Sequence, residues 1–326
     1  MSVLYPRIIL RRGKEEPVLR FHPWIFSGAI KETKGHIQQG TVVEVYADNG
    51  SYLATGHFLG GSLAIKLFSF LKKEVNDNFW KEKIMQAFML RQQLGLIDSS
   101  ETNVYRLVSS EGDGMPGLII DIYGSVAVLQ FHSVGMYNAR NSIVKILNEL
   151  PGMKITAVYS KSAESLFRMT NIMAEDGFLS GKADKLTVFE NGNKFEIDFI
   201  NGQKTGFFVD QRENRKILGE MSAGKKVLNM FGYTGGFSVY ALAGKAKFAH
   251  TVDVSAQAIE AAVNNLKLNG FDSNINKCIA ADAKMYLSDI SFGQYDIIIL
   301  DPTAFAKNIS SRQAALKGYR NLNAMA

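Results

Sequence analysis

Residues 226–253 read KVLNMFGYTGGFSVYALAGKAKFAHTVD, and this stretch decides the fold. Val227, Leu228 and Met230 form a short apolar run suited to a buried parallel strand. Phe231-Gly232-Tyr233-Thr234-Gly235-Gly236 follows. Its glycines let the backbone turn tightly and pass close to a ligand without Cβ clashes. Residues 237–243 are small and apolar and read as a helix whose first N–H groups face the loop. A second strand ends at Val252-Asp253. An acidic residue about 20 positions after such a loop is placed to accept hydrogen bonds from a ribose diol. The pattern is that of a nucleoside-cofactor site on a βαβ unit. It is not the dinucleotide fingerprint, because the glycines fall at the first, fourth and fifth positions rather than the first, third and sixth. A glycine-rich turn without a ligand is the competing reading, and Asp253 weighs against it.

Working outward, Ser255 is a good helix N-cap for residues 256–269, and Gly270 a good stop. Residues 274–280 read as a third strand, followed by Asp282-Ala283. Residues 295–300 form a strongly apolar fourth strand ending in Asp301-Pro302-Thr303-Ala304-Phe305. Strands alternating with helices imply a doubly wound parallel sheet. Ligands then sit at the carboxyl ends of the strands, where Gly232, Asp253, Asp282 and Asp301 all fall.

Upstream, residues 1–71 carry short β-rich runs with glycine-marked turns and an excess of basic over acidic residues. A small, closed, basic β-module fits, a shape common in RNA binding. Phe21-His22-Pro23-Trp24-Ile25-Phe26 is unusually aromatic for a loop; core packing of Trp24 and Phe26 is expected ahead of stacking on bases. Residues 72–200 read as an α+β middle domain that ends in a hairpin turning at Asn191-Gly192. Residues 201–326 make up the cofactor domain. At its start, Gln203, Lys204 and Thr205 have no evident structural duty and are candidate site residues. Asp210 is expected to cap a helix over 211–222.

The chain has 326 residues, with 46% hydrophobic and 21% charged positions, which is ordinary globular composition for two or three domains. No run approaches the roughly 18 apolar residues of a membrane span, and the first residues lack a signal-peptide pattern. The single cysteine, Cys278, rules out a disulfide framework and a cysteine-based zinc site, so no metal is expected. Together these favour a cytoplasmic protein. A net charge of +6 is compatible with a polyanionic partner.

With residues 301–305 (DPTAF) on the fourth strand, the set resembles a class I S-adenosylmethionine-dependent methyltransferase, an α/β, Rossmann-like fold. More closely, it is similar to the RlmI-like RNA methyltransferases, which carry an N-terminal PUA domain of β-barrel type and methylate carbon 5 of a cytosine in large-subunit (23S) rRNA. The matching stretches are residues 21–30 (FHPWIFSGAI), 111–121 (EGDGMPGLIID), 203–212 (QKTGFFVDQR), 228–237 (LNMFGYTGGF), 252–255 and 301–305.

The resemblance implies that Phe231, Gly232, Tyr233, Thr234, Gly235 and Gly236 hold the methionine part of S-adenosyl-L-methionine. Asp253, with Val254 and Ser255, would bind the ribose side, and Asp282 and Ala283 would flank the adenine. The stretch containing Gln203, Lys204, Thr205 and Asp210 would close one wall. Asp301, Pro302 and Phe305 would meet the target base, with Asp301 the catalytic candidate. The partner implied is 23S rRNA; the oligomeric state stays open, a homodimer included. Two departures stand out. Thr303 replaces the usual second proline after Asp301. The family's nucleophilic cysteine lies on a later strand, so the chain reads as C-terminally truncated and the sheet as incomplete. Cys278, mid-strand, reads as a buried small hydrophobe rather than that nucleophile. A nicotinamide dehydrogenase, a non-catalytic RNA-binding protein that keeps the fold, and a methyltransferase for another base remain as alternatives.

Overall fold

The computed structural model describes residues 4–170, 173–306 and 308–326. The chain divides into two units, Met1–Leu186 with Asp198–Val209, and Thr187–Ile197 with Asp210–Ala326. It therefore passes from one unit to the other three times, whereas the sequence reading drew three consecutive segments, 1–71, 72–200 and 201–326.

The first unit opens with β1 (Arg7–Leu10), α1 (Glu16–Leu19), β2 (Trp24–Phe26), β3 (Ile30–Lys34), β4 (Val42–Tyr46), β5 (Tyr52–Phe58) and β6 (Leu63–Ser69). They form a sheet of order β2-β6-β5-β4-β1-β3, with β2 and β3 at its ends. Alternation along the strands buries Ile8, Leu10, Val43, Val45, Ile65 and Leu67 on one side. The expected burial of Trp24 and Phe26 does not hold: β2 is an end strand, and its alternation points Ile25 inward while Trp24 and Phe26 stay exposed.

Next come α2 (Asp77–Gln93), β7 (Val104–Ser109), β8 (Leu118–Tyr123), β9 (Val126–Phe131), α3 (Val134–Asn138), α4 (Arg140–Asn148), β10 (Ala157–Ser160), α5 (Ala163–Thr170) and β11 (Gly177–Ser180). The strands form a mixed sheet of order β11-β10-β9-β8-β7. Asn76 starts α2 by accepting the Phe79 N–H at 3.1 Å. Phe79, Trp80, Ile84, Ala87 and Phe88 then recur at helical spacing and fill the core under the sheet.

Glu111 ties the two sheets of this unit together. It accepts from Trp24 Nε1 at 3.0 Å and pairs with the almost fully buried Lys66 at 3.1 Å. Burial works to raise the Glu111 carboxyl. Hydrogen bonds from Ser110, Trp24, its own backbone N–H and Lys66 outweigh that and hold it at about 2.

The second unit contains the hairpin β12 (Leu186–Glu190) and β13 (Asn193–Ile197), then α6 (Arg212–Met221), β14 (Lys226–Met230), α7 (Gly236–Ala243), β15 (Phe248–Asp253), α8 (Ala256–Leu268), β16 (Cys278–Ala280), α9 (Ala283–Asp289), β17 (Ile297–Leu300) and α10 (Arg312–Met325). The last four strands form a sheet of order β16-β15-β14-β17 with every neighbour parallel. This matches the doubly wound expectation.

Two strands are shorter than read from sequence. Asn276 turns back on Asp272 instead of extending the third strand, and the fourth starts at Ile297. The hairpin belongs here because α8 holds it: the Lys194 N–H donates to Asn269 Oδ1 at 2.9 Å, and the Glu196 N–H to Asn265 Oδ1 at 2.8 Å. Arg215 of α6 and Glu190 of β12 form a buried two-bond ion pair at 2.8 and 2.7 Å. The Tyr240 hydroxyl adds a 3.0 Å bond to the same carboxylate.

Candidate cofactor and base site

Parallel pairing puts four strand ends at one edge of the second unit's sheet. Met230 is in register with both Val252 and Leu300, and Asp253 with Ala280. The residues that follow them, from Phe231, Val254, Ala281 and Asp301 onward, therefore leave the sheet together. This is where ligands bind on such a sheet.

The loop after β14 is conformationally costly. Phe231 and Tyr233 sit at φ of +56° and +46°, and Gly235 at +77°. Left-handed backbone costs a non-glycine residue roughly 1–2 kcal/mol. Asp253 offsets part of this cost by holding the loop: its Oδ2 accepts the Tyr233 N–H at 2.9 Å, and its Oδ1 accepts the Ser255 N–H at 2.9 Å. Ser255 in turn caps α8 through the Ala258 N–H at 3.2 Å, as expected.

Beneath the loop lies a buried polar layer that the sequence reading did not single out. Asn229 Nδ2 donates to Ser238 Oγ at 3.1 Å, and Ser238 Oγ meets Thr251 Oγ1 at 2.6 Å. Asn265 Nδ2 donates to the Thr234 carbonyl at 2.8 Å. The available signal was polar side chains, Asn229 and Thr251, inside otherwise apolar parallel strands, where burial demands partners. Two of the loop's three glycines, Gly232 and Gly235, serve packing. A Cβ on Gly232 would lie 2.5 Å from Thr251 Cγ2, and one on Gly235 would lie 3.0 Å from Ala262 Cβ of α8. A side chain at Gly235 therefore presses on α8 rather than filling ligand space.

The other expected residues fall as follows. Gly236 begins α7. Val254 is 79% exposed beside Asp253. Asp282 caps α9, accepting the Lys284 and Met285 N–H groups at 2.9 and 3.1 Å, and Ala283 is the helix's first residue. Asp301 is exposed after β17, with Gln211 Nε2 3.5 Å from its Oδ2. Gln211 is thus a second addition to the site. Pro302 is partly buried, and Phe305 stacks on Tyr319 at 4.4 Å, so one face of its ring is taken.

Asp210 does not cap the following helix. It lies exposed in a short 3-10 turn, and α6 starts after Gln211 with no side-chain cap.

Gln203, Lys204 and Thr205 belong to the first unit. Gln203 and Lys204 are exposed, and Lys204 lies over the Phe208 ring at 5.0 Å. Thr205 does have a structural duty. It is 1% exposed, donates to Asp121 Oδ2 at 2.7 Å and meets the Tyr123 hydroxyl at 2.9 Å. Asp121, fully buried, also takes two bonds from Arg106 at 2.8 and 2.9 Å. A hydroxyl committed in this way has no donor left for a cofactor.

Cys278 opens β16 half-buried, two residues before the strand's carboxyl end, and burial pushes its thiol up. Among the described residues no helix is long and apolar enough to cross a membrane, and no cluster of His, Cys, Asp and Glu is arranged to hold a metal ion.

Residues 166–322 match the S-adenosylmethionine-dependent methyltransferase family, and residues 8–70 match a PUA-like domain. The ribosomal RNA large subunit methyltransferase I of Alteromonas mediterranea is 35% identical over 97% of this chain and 80% of its own length. That of Aeromonas hydrophila is 36% identical over 98% of this chain and 81% of its own. Among solved structures, SMU.776, described as a methyltransferase and crystallised with SAH, superposes with a TM-score of 0.79. It is 25% identical, over 93% of this chain and 77% of that one. A strand-edge site of this form, in a chain so closely related along nearly its whole length, is that of an S-adenosylmethionine-dependent methyltransferase with a PUA-like domain, and the chain belongs to the ribosomal RNA large subunit methyltransferase I family.

Proposed function

We propose that this enzyme methylates carbon 5 of a cytosine in 23S rRNA. The observation that carries the reading is the convergence of the Phe231–Gly236 loop, Asp253, Asp282 and Asp301 at one sheet edge, together with the names of the relatives, which are rRNA large subunit methyltransferases.

The residues present fit the cofactor. Each Asp253 oxygen keeps a lone pair after its one amide bond, enough to accept from a ribose diol. The exposed Val254 offers an apolar surface next to it, suited to an adenine ring. Phe231 and Tyr233, half-buried on the loop, give aromatic faces that attract a cation. When bound, S-adenosylmethionine supplies a methyl group on a sulfonium.

The chain's own work at this edge is to hold and discriminate. Asp301 accepts from the exocyclic amine of a cytosine, whereas the oxygen that uracil carries there would set acceptor against acceptor. The Gln211 amide beside it orients that carboxylate. The base must leave its stack to arrive, so a flipped nucleotide is expected. Attack at carbon 6 of the ring needs a thiolate. Cys278 is unsuited, since it opens β16 two residues before the strand's carboxyl end and burial pushes its thiol up.

The test is transfer of labelled methyl to 23S rRNA by this chain joined to the later strand on which the resemblance places the family's nucleophilic cysteine, with the labelled nucleoside identified after digestion; with Cys278 as its single cysteine, the chain alone should bind S-adenosylmethionine and transfer little or no label. Label at cytosine carbon 5, lost in Asp301→Ala while cofactor affinity persists, supports the reading. Label on another base or on ribose overturns it. Alkylation of Cys278 should be slower at neutral pH than that of a free thiol and should rise only in alkali; a fast neutral reaction would restore it as nucleophile.

A further inference from the structure

One buried side chain joins the β12–β13 hairpin to the loop after β14. Asn265 of α8 is 0% exposed. Its Oδ1 accepts the Glu196 N–H of β13 at 2.8 Å, and its Nδ2 donates to the Thr234 carbonyl at 2.8 Å. The bridge has a fixed sense. The Glu196 N–H can only donate and the Thr234 carbonyl can only accept, so a reversed amide would set donor against donor and acceptor against acceptor. A carboxylate of the same size lacks the donor, and leucine lacks both groups. The register has a simple origin. Asn265 and Asn269 stand four apart on α8, about 6 Å along the helix, and Lys194 and Glu196 two apart on β13, about 6.7 Å along the strand. Each asparagine therefore meets one N–H of β13. Asn269 accepts from Lys194 at 2.9 Å and returns a bond to its carbonyl at 2.8 Å.

At its other end the bridge falls on the most constrained step of the loop. Thr234 lies between Tyr233 at φ +46° and Gly235 at +77°. Asp253 holds the Tyr233 N–H from β15, and Asn265 holds the Thr234 carbonyl from α8. The second anchor is itself anchored in the hairpin. The hairpin's first strand is fixed separately, through Glu190 with Arg215 and Tyr240.

We propose that Asn265 is a positioning residue for the cofactor and that, through it, the hairpin takes part in binding S-adenosylmethionine. The Glu196 N–H holds Oδ1, which keeps Nδ2 aimed at the Thr234 carbonyl, which keeps the loop in the conformation that receives the ligand. The proposal rests on the reading that the Phe231–Gly236 loop holds the cofactor. Coupling of this kind is reciprocal: a hairpin that favours the receptive loop must itself be steadied when the cofactor binds.

The test uses the whole chain, with S-adenosylmethionine affinity read by calorimetry and backbone amides by hydrogen exchange. In the parent, the cofactor should slow exchange in residues 231–236 and also in residues 193–197. Asn265→Leu, checked for folding by circular dichroism, should bind about tenfold more weakly and lose the protection at 193–197. Asn269→Ala loosens the hairpin and leaves the Thr234 bond in place. It should weaken binding about threefold in the parent and not at all in the Asn265→Leu background. A residue that only stabilised the fold would leave the cofactor-dependent protection of the hairpin unchanged. Parent affinity in folded Asn265→Leu, or an equal effect of Asn269→Ala in both backgrounds, overturns the proposal. Cofactor that slows exchange at 231–236 and leaves 193–197 untouched in the parent overturns it without any variant, and the loop reading stands. Cofactor that binds with 231–236 unchanged removes both.

Discussion

The Tyr233 N–H donates to Asp253 Oδ2 at 2.9 Å, so the acidic residue ending β15 sets the conformation of the loop that ends β14. The same carboxylate is the proposed ribose acceptor. Asp253→Ala therefore removes both a ligand contact and the bond that holds the loop. The expected loss in S-adenosylmethionine affinity is about 1.5–3 kcal/mol by calorimetry, the range for hydrogen bonds to charged groups. Asp253→Asn keeps one acceptor oxygen and should fall between the two. An Ala variant that folds and binds as tightly as the parent would remove Asp253 from the site.

Gly235 lies at φ +77° with Ala262 of α8 directly opposite its missing side chain. Gly235→Ala should destabilise the second unit by about 1–2 kcal/mol from the left-handed backbone alone, measured by urea unfolding. Gly235→Val adds pressure on α8 and should cost more. Weakened cofactor binding in either variant follows from the displaced loop. If Gly235→Ala unfolds like the parent and yet binds no cofactor, the residue faces the ligand after all.

Glu111 gives a pH dependence whose direction follows from its low folded value of about 2 against an ordinary 4.5. Because the folded value is the lower one, the stabilisation is fully present above about pH 4.5. It is lost as the pH falls toward about 2. Glu111→Gln should therefore flatten the acid limb of the first unit's unfolding curve between about pH 5 and pH 2. An acid limb identical to the parent's would show that other carboxylates govern it.

The Glu190–Arg215 pair is all but sealed from water, with Arg215 2% and Glu190 0% exposed. Glu190→Ala removes both carboxylate bonds from a buried guanidinium and should cost about 3–5 kcal/mol in thermal or denaturant unfolding. It also strips the Tyr240 hydroxyl of an acceptor. A double variant with Arg215→Met should recover much of the loss. Equal stability of the single and double variants would mean that the ion pair is not what holds the hairpin to α6.

Much of the second unit was legible because its signals are local. An apolar run followed by a glycine turn, an apolar strand ending in Asp253, and the serine cap of α8 each sit within a few residues. What was not legible depended on distant partners. Thr205 looked free of structural duty because Asp121, which accepts its hydrogen bond, lies 84 residues earlier. The hairpin was assigned to the middle domain because nothing near it reveals that Asn265 and Asn269 will hold its outer strand. Trp24 and Phe26 looked like core because aromatic residues usually are; only the position of β2 at the end of its sheet turns them outward. Gln211 was visible within the quoted 203–212 stretch, yet its nearness to Asp301 spans 90 residues.

The hairpin's dependence on α8 has a temporal side. Its strand β13 is made first, and the asparagines that hold it follow 69 to 75 residues later. At a synthesis rate of about 5–20 residues per second, some 4–15 s pass between them. For that interval the nascent hairpin has emerged without its helix, at a point where the first unit's strands are already complete. Its apolar residues Val188, Phe195 and Ile197, all buried in the finished protein, must wait uncovered during translation, which makes this short ribbon the place where a slowed ribosome or a chaperone would most affect the yield of folded enzyme.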